Sequence, residues 1–434
     1  MKKFLVYILC ALAALLCLSA CTDPASPPEV TTVDVEQKPP TPPVSETDGL
    51  GYELLTDTTC KVVSYVGDDR NPVIPTKDSN DRLVVAIGRG AFEANDQIVS
   101  VKLPLSVQTI EEEAFRGCSS LRTVEWPTHL VTVKASAFAD CVSLTEITLP
   151  AAVSEIGENA FVGCSALSRI QVDKANPFFA SDGQLLTSKD GSRLYLAAAD
   201  GGLTAFESGD KLTAISPYAF AGHKTLATVT LGDGVREIGS YAFSDCPALA
   251  SLSVGKGATD IPDGLCRRGR ALAKVTLSGD VEVVGASAFD GCTALAELSV
   301  PATVTRVGIR AFEGTAWLAS QEQTFVTVGS GVLIAWRGEG TDVVIPGGVT
   351  YISDAFHGKK ITSVTLPDTL IHIGENAFRS CQSLERVSLP TALATIGESA
   401  FYGCTALAHV DGLDNLARVT VAEGNSPLTA LMVK

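Results

Sequence analysis

Leu144-Thr145-Glu146-Ile147-Thr148-Leu149-Pro150-Ala151-Ala152-Val153-Ser154-Glu155-Ile156-Gly157-Glu158-Asn159-Ala160-Phe161-Val162-Gly163-Cys164 is one copy of a unit stamped along most of this chain. Its Ala-Phe pair recurs at Phe92, Phe115, Phe138, Phe161, Phe220, Phe243, Phe289, Phe312, Phe356, Phe378 and Phe401. The steps are 23, 23, 23, 59, 23, 46, 23, 44, 22 and 23 residues. The step of 46 holds two units, with a degenerate copy at Gly264-Leu265 where Leu265 replaces a Phe. One such unit cannot bury its apolar face alone, but stacked units bury a continuous core. The Phe residues are expected to form one buried stack.

The offsets describe the coil. In Leu121-Arg122-Thr123-Val124-Glu125-Trp126-Pro127, apolar and polar residues alternate with the strand period. The Pro stops the strand. Val235-Arg236-Glu237-Ile238-Gly239 follows the same logic in a second element. Its Gly is expected to serve a bend that needs φ > 0. Spacing leaves open whether this second element is a strand, a 3₁₀ turn or irregular. A fixed period of this length with Leu, Ile and Val at fixed offsets defines a leucine-rich-repeat solenoid. Each turn of about 23 residues should supply one short parallel β-strand.

Length alone (434 residues) would suggest several domains, but a solenoid grows in one dimension without dividing its core. The net charge of −16 becomes −18 without Lys2 and Lys3. That balance excludes nucleic acid as a partner and electrostatic docking on anionic lipid.

Residues 1–20 read as a secretory signal: Met1-Lys2-Lys3, an apolar run from Phe4 to Leu16, then Leu18-Ser19-Ala20-Cys21. The last four residues resemble the lipobox of bacterial lipoproteins. That resemblance implies cleavage before Cys21, lipidation of its thiol and a lipid link to a membrane of the bacterial cell envelope. Residues 21–49 carry Pro24, Pro27, Pro28, Pro39, Pro40, Pro42 and Pro43 and read as an extended tether.

The repeated string Leu-x-Leu-Pro-x-x-Val-x-x-Ile-Gly-x-x-Ala-Phe-x-Gly-Cys resembles the BspA-like leucine-rich repeat of bacterial cell-surface proteins, from about Leu83 to Val410. Lys134 departs from the pattern by replacing the Gly after Val133. The resemblance implies a β-rich N-terminal cap over 50–88, the solenoid over 89–411 and a C-terminal cap over 412–434. Irregular repeats are expected at about 172–214 and 317–346. It also implies an exported, lipid-anchored binding protein, adhesin-like in some members, whose partners are host matrix proteins or other cell-surface proteins. No catalytic residues belong to the family.

Of 12 Cys, seven stand three residues after a repeat Phe: Cys118, Cys141, Cys164, Cys246, Cys292, Cys381 and Cys404. Asn95, His223, Thr315 and Lys359 hold that place in other copies. Buried free thiols acting as small hydrophobes are expected. Turns about 5 Å apart also permit a disulfide ladder. Cys60 and Cys266 lie off the pattern. One Cys per turn does not make a metal cluster. His129, His223, His357, His372 and His409 fall at different offsets and are expected on the surface or in loops. With no nucleophile, phosphate-loop or metal motif, no catalytic, cofactor or metal site is expected.

The outward strand position reads Lys102, Glu125, Thr148, Gln171, Thr230, Ser253, Thr276, Ser299, Thr365 and Ser388, often preceded by Ala. From Thr148 onward this ladder is the candidate partner-binding face. Small hydroxyls suit an extended chain or a broad protein surface; the alternative is a merely soluble β face. Trp336 and Arg337, in the second irregular repeat, are candidate binding anchors. The aromatics of that repeat, Trp317, Phe325 and Trp336, together with the lipid anchor, motivate an alternative function, capture of oligosaccharide or peptide for a transporter.

Overall fold

Each regular turn contributes the expected short parallel strand, and the second element, whose type spacing left open, is a parallel strand too. The computed structural model describes residues 48–431. Within them the chain is a β-solenoid of about 16 turns with almost no helix. The longer strand comes from the Leu-x-x-Ile-x-Leu stretch, as in Glu146–Leu149, Thr228–Leu231, Ser251–Val254 and Lys274–Leu277. Its alternation sends Val229 and Leu231 inward and leaves Thr228 and Thr230 exposed. The second strand is only two residues long, as in Thr109–Ile110, Thr132–Val133 and Glu155–Ile156. These pair in register with the turn before and after, Thr109 with Thr132 and Thr132 with Glu155.

The Phe-bearing arc has its own turn-to-turn bonding. The N–H of Phe115 donates to the Ala137 carbonyl at 2.8 Å, and Phe138 donates to Ala160 at 2.8 Å. Left-handed residues flank the Phe two places before and two after. They include Glu113, Ser136, Asn159, Tyr218 and Tyr241 on one side, and Asp140, Asp245 and Arg268 on the other. A non-glycine there costs about 1–2 kcal/mol, offset by the inter-turn hydrogen bonds this backbone permits.

The Gly after Ile plays a different part from the one expected. Gly157 and Gly239 have no left-handed φ. A Cβ on Gly157 would collide with the backbone of Lys134 and Ala135, and one on Gly239 with Ser216 and Pro217. Glycine is there so that adjacent turns approach closely.

The eleven Phe do not form one stack. Phe92, Phe115, Phe138 and Phe161 stack at 4.8–5.5 Å. Phe220 and Phe243 (5.0 Å), Phe289 and Phe312 (6.0 Å), and Phe356, Phe378 and Phe401 (5.1 and 5.2 Å) form separate stacks. The break after Phe243 corrects the register of the degenerate copy. Phe243 N–H donates to Leu265 O, as Phe220 N–H does to Ala242 O. Leu265 therefore holds the Ala place and Cys266 the Phe place, both fully buried. A larger Ala position compensates the smaller Phe position.

The other two breaks come from irregular repeats. Each inserts an antiparallel hairpin, Leu185–Ser188 with Arg193–Ala197 and Phe325–Val328 with Val332–Trp336. The buried side chains correspondingly fall into three groups rather than one continuous core. At the N-terminal end Leu50–Leu54 pairs antiparallel with Thr59–Tyr65, and the Tyr65 ring covers Phe92 at 5.2 Å. Near the C-terminal end buried Asn425 donates to the Gly397 and Ala422 carbonyls at 2.9 Å and accepts from Phe401 N–H at 3.0 Å. Cys21 and residues 1–47 lie outside the described residues.

All nine described Cys are buried free thiols. Each of the seven in the column donates to the previous turn, Cys118 to Phe92 O at 3.0 Å and Cys246 to Phe220 O at 3.1 Å. Cys292 uses the Cys266 carbonyl in the same way at 3.0 Å. The column changes residue at Asn95, His223 and Lys359, where no regular Phe turn precedes it, and also at Thr315, whose hydroxyl donates to Phe312 O at 2.8 Å. Asn95 accepts the Ile98 N–H at 3.2 Å, and His223 Nδ1 accepts the Leu226 N–H at 3.2 Å. His223 thus lies in a loop, one of the two places expected, but is buried, and burial pushes its pKa down.

Burial pushes the Cys164, Cys246 and Cys292 thiols up to about 12. Their contribution to stability is full below the ordinary thiol pKa of 9.0 and is lost as pH rises toward 12. Native protein at pH 8 should resist iodoacetamide while urea-unfolded protein is alkylated, and urea midpoints should fall above pH 9. Fast alkylation of the native column would contradict the burial.

Candidate functional site

The longer strands align the outward residues into ladders. Thr148 lies beside Gln171, and Thr230, Ser253, Thr276 and Ser299 follow one another across four paired strands. Thr365 lies beside Ser388. Adjacent members stand about 4.8 Å apart. All are exposed or half-buried, while the residues between them form the core. The irregular repeats and turn geometry divide the long-strand ladder into four sheets, so the face is not one continuous surface.

The segment Glu207 to Ser299 is the longest ladder on this face. The hydroxyls of Thr230, Ser253, Thr276 and Ser299 have no hydrogen-bond partner within the described residues. Thr365 is likewise without a hydroxyl partner, Ser388 accepts from Leu366 N–H, and other outward residues are occupied with each other. Lys102 pairs with Glu125 at 2.9 Å, and Gln171 donates to Glu146 at 2.6 Å. The Ala residues 227, 250, 273 and 296 stand one place ahead of the strands. The first outward row is Thr228, Ser251, Lys274 and Glu297 instead, and it ends in a Lys274–Glu297 ion pair at 3.0 Å. The face is therefore more charged than the sequence suggested. Alternation alone did not fix where each strand begins.

Trp336 is not an exposed anchor. It is 7% exposed, joins the C-terminal core and lies 5.6 Å from Phe356. Lys359 Nζ sits 5.9 Å from its ring centre. Arg337 is exposed, and its Nη2 donates to the Leu318 carbonyl. Trp317 packs on Phe312 at 5.0 Å. An open groove of about 700 Å³ runs past Glu313, Leu318, Trp336, Arg337 and Lys359.

The first irregular repeat opens a cleft of about 360 Å³ that the sequence did not signal. Its walls include Glu158, Asn159, Phe161, Arg193, Tyr195 and Tyr218. A third cleft, about 300 Å³, borders Arg306, Tyr351, Ser353 and Glu375. Among the described residues no group of His, Cys, Asp or Glu could hold a metal ion, and no helix is long and apolar enough to cross a membrane.

Two strands per turn, the Phe arc and the repeated thiol define a leucine-rich-repeat solenoid. The chain belongs to the BspA-type leucine-rich repeat family, whose model matches residues 85–179, 198–318 and 338–421 in six copies. No curated protein sequence matches it. Among solved structures it is similar to a leucine-rich repeat protein from Eubacterium ventriosum, with 18% identity over 82% of this chain and 93% of that one and a TM-score of 0.48. A leucine-rich cell-surface protein from Faecalibacterium prausnitzii gives 21%, 88%, 98% and 0.32 for the same quantities. The pneumococcal vaccine antigen PcpA gives 15%, 79%, 92% and 0.43.

Proposed function

We propose that this chain is an exported, lipid-anchored, non-catalytic surface protein that binds another protein through the long-strand face. The observation carrying the reading is the run of unpartnered hydroxyls from Thr230 to Ser299 on a rigid ladder. A partner's polar groups meet preformed donors and acceptors there, with little ordering cost. Membership of a family of bacterial surface repeats supports this reading. Leu18-Ser19-Ala20-Cys21 supports the anchor, and the Pro-rich residues 22–49 support a spacer. Burial of Trp336 takes away one of the aromatics that motivated oligosaccharide or peptide capture, while Trp317 and Phe325 stay half-buried.

Two experiments test the reading. Labelled palmitate should enter the wild-type chain, and Cys21→Ala should abolish incorporation; a labelled mutant would remove the anchor. The chain beginning at Thr22 should retain a host matrix protein or a neighbouring bacterial surface protein in pull-downs. Combined Thr230→Ala, Ser253→Ala and Thr276→Ala should weaken that capture about tenfold. Each change should alter stability by no more than about 0.5 kcal/mol. Capture untouched by the triple change would place the partner elsewhere.

A further inference from the structure

We propose that the cleft in the first irregular repeat receives a basic side chain, arginine or lysine, of a protein partner. This rests on the protein-binding reading above and gives the partner a second point of attachment. The cleft exists because a hairpin replaces a regular turn. The two-residue-strand sheet stops at Glu155–Ile156, and the next sheet begins with the hairpin that includes Arg193–Ala197.

Three observations on its walls converge. The first is Asn159, whose Oδ1 is shielded from solvent and accepts no hydrogen bond. Asn376, at the same place in a later repeat, shares its left-handed φ of 56°. There the amide oxygen accepts from Arg379 Nη1, three residues on, at 3.1 Å. Val162 stands three residues after Asn159, so that internal donor is missing. A buried acceptor without a donor is costly, and an N–H in the cleft removes the cost once the amide turns toward it.

The second is Tyr218. One side of its ring stacks on Tyr241 at 5.0 Å and 11°. On the other side the irregular hairpin strand Arg193–Ala197 stands in place of a regular turn, and Tyr218 lines the cleft between them. An aromatic face open to a partly enclosed space attracts a cation.

The third is charge. Arg193 is already neutralised by Glu237, which it meets with Nη1 at 3.3 Å and Nη2 at 2.7 Å. Glu158 lines the same space and makes no ion pair among the described residues. The net charge of the wall is therefore negative, in a chain of net charge −16. A guanidinium or ammonium group answers all three features: N–H for Asn159, positive charge for Tyr218 and a counter-ion for Glu158. A neutral sugar answers only the first, and an acidic side chain is repelled.

The test uses the chain beginning at Thr22, which keeps every described residue, in saturation-transfer NMR titrations. The probes are N-acetyl-arginine amide, N-acetyl-lysine amide, N-acetyl-glutamate amide and methyl glucoside. The two basic probes should bind in the millimolar range and weaken as salt rises. Tyr218→Ala should weaken them about 5- to 30-fold. Asn159→Gly, which keeps the left-handed backbone, should weaken them less. Glu158→Gln, an exposed change that spares the fold, should lower affinity and flatten the salt dependence; melting curves check the Tyr218 variant. No saturation by either basic probe at about 100 mM, equal binding of the glutamate or glucoside probe, or unchanged affinity in Glu158→Gln would overturn the proposal. If the basic probes fail while the strand face still captures its partner, only the cleft is removed. If they bind while capture fails, the strand-face reading is the one lost.

Discussion

Phe243→Ala is expected to destabilise the array by about 3–5 kcal/mol, the largest effect of any single substitution considered. Phe243 is fully buried and stacks on Phe220 at 5.0 Å. Its other neighbour in the column is Cys266, not a ring, so no second aromatic can slide into the void. The turn is also held by its backbone, since Phe243 N–H donates to Leu265 O at 2.9 Å and Cys246 donates to Phe220 O at 3.1 Å. These bonds oppose collapse of the cavity, which keeps the cost near the upper part of the range. Urea unfolding followed by circular dichroism measures it. A loss below about 1 kcal/mol would mean the ring does not fill the coil interior.

Gly239→Val should cost about 3 kcal/mol for the opposite reason, too much volume rather than too little. Gly239 N–H donates to Ile215 O at 2.8 Å, which draws its turn against the previous one. An added Cβ meets the backbone of Ser216 and Pro217, and backbone in a bonded ladder has nowhere to move. Gly222→Ala is the informative control. Gly222 has φ +73° and no atom within 4 Å of an added Cβ, so only conformational strain of about 1–2 kcal/mol applies. The midpoint of thermal unfolding should fall further for Gly239→Val than for Gly222→Ala. The reverse order would show that the Gly column serves backbone conformation after all.

The period and the inward Val, Ile, Leu and Phe were readable from spacing, because stacking forces each core position to repeat, and the Phe steps of 59 and 44 residues marked interruptions. The second strand was not readable. Two residues such as Thr132 and Val133 are too few to show a period, and their strand character comes from pairing with Thr109–Ile110 and Glu155–Ile156. Nor were the left-handed positions, since Glu113, Tyr218 and Arg268 are not residues that signal φ > 0. The Leu265-Cys266 pair was misregistered by one because a large residue beside a small one preserves volume while reversing the order. Most of the candidate hydroxyl ladder could be listed from alternation, but its division into four sheets depends on inter-turn pairing. The first cleft was invisible because it is made by what a hairpin leaves uncovered, not by a motif. Trp336 looked like an exposed anchor for the same reason: only the fold shows its hairpin laid across the Phe356 turn.

The Phe column lies inside the coil and holds it together, while the Thr230 ladder lies outside. Hydrogen–deuterium exchange, mapped along the chain for Phe243→Ala and Thr230→Ala, tests this most directly. Because each repeat touches only its neighbours, Phe243→Ala should lose protection first in the turns around residues 220–289 and much less near Phe92 and Phe401. Thr230→Ala should leave the protection pattern close to wild type. Equal loss of protection in the two variants would contradict the assignment of inside and outside on which the account rests.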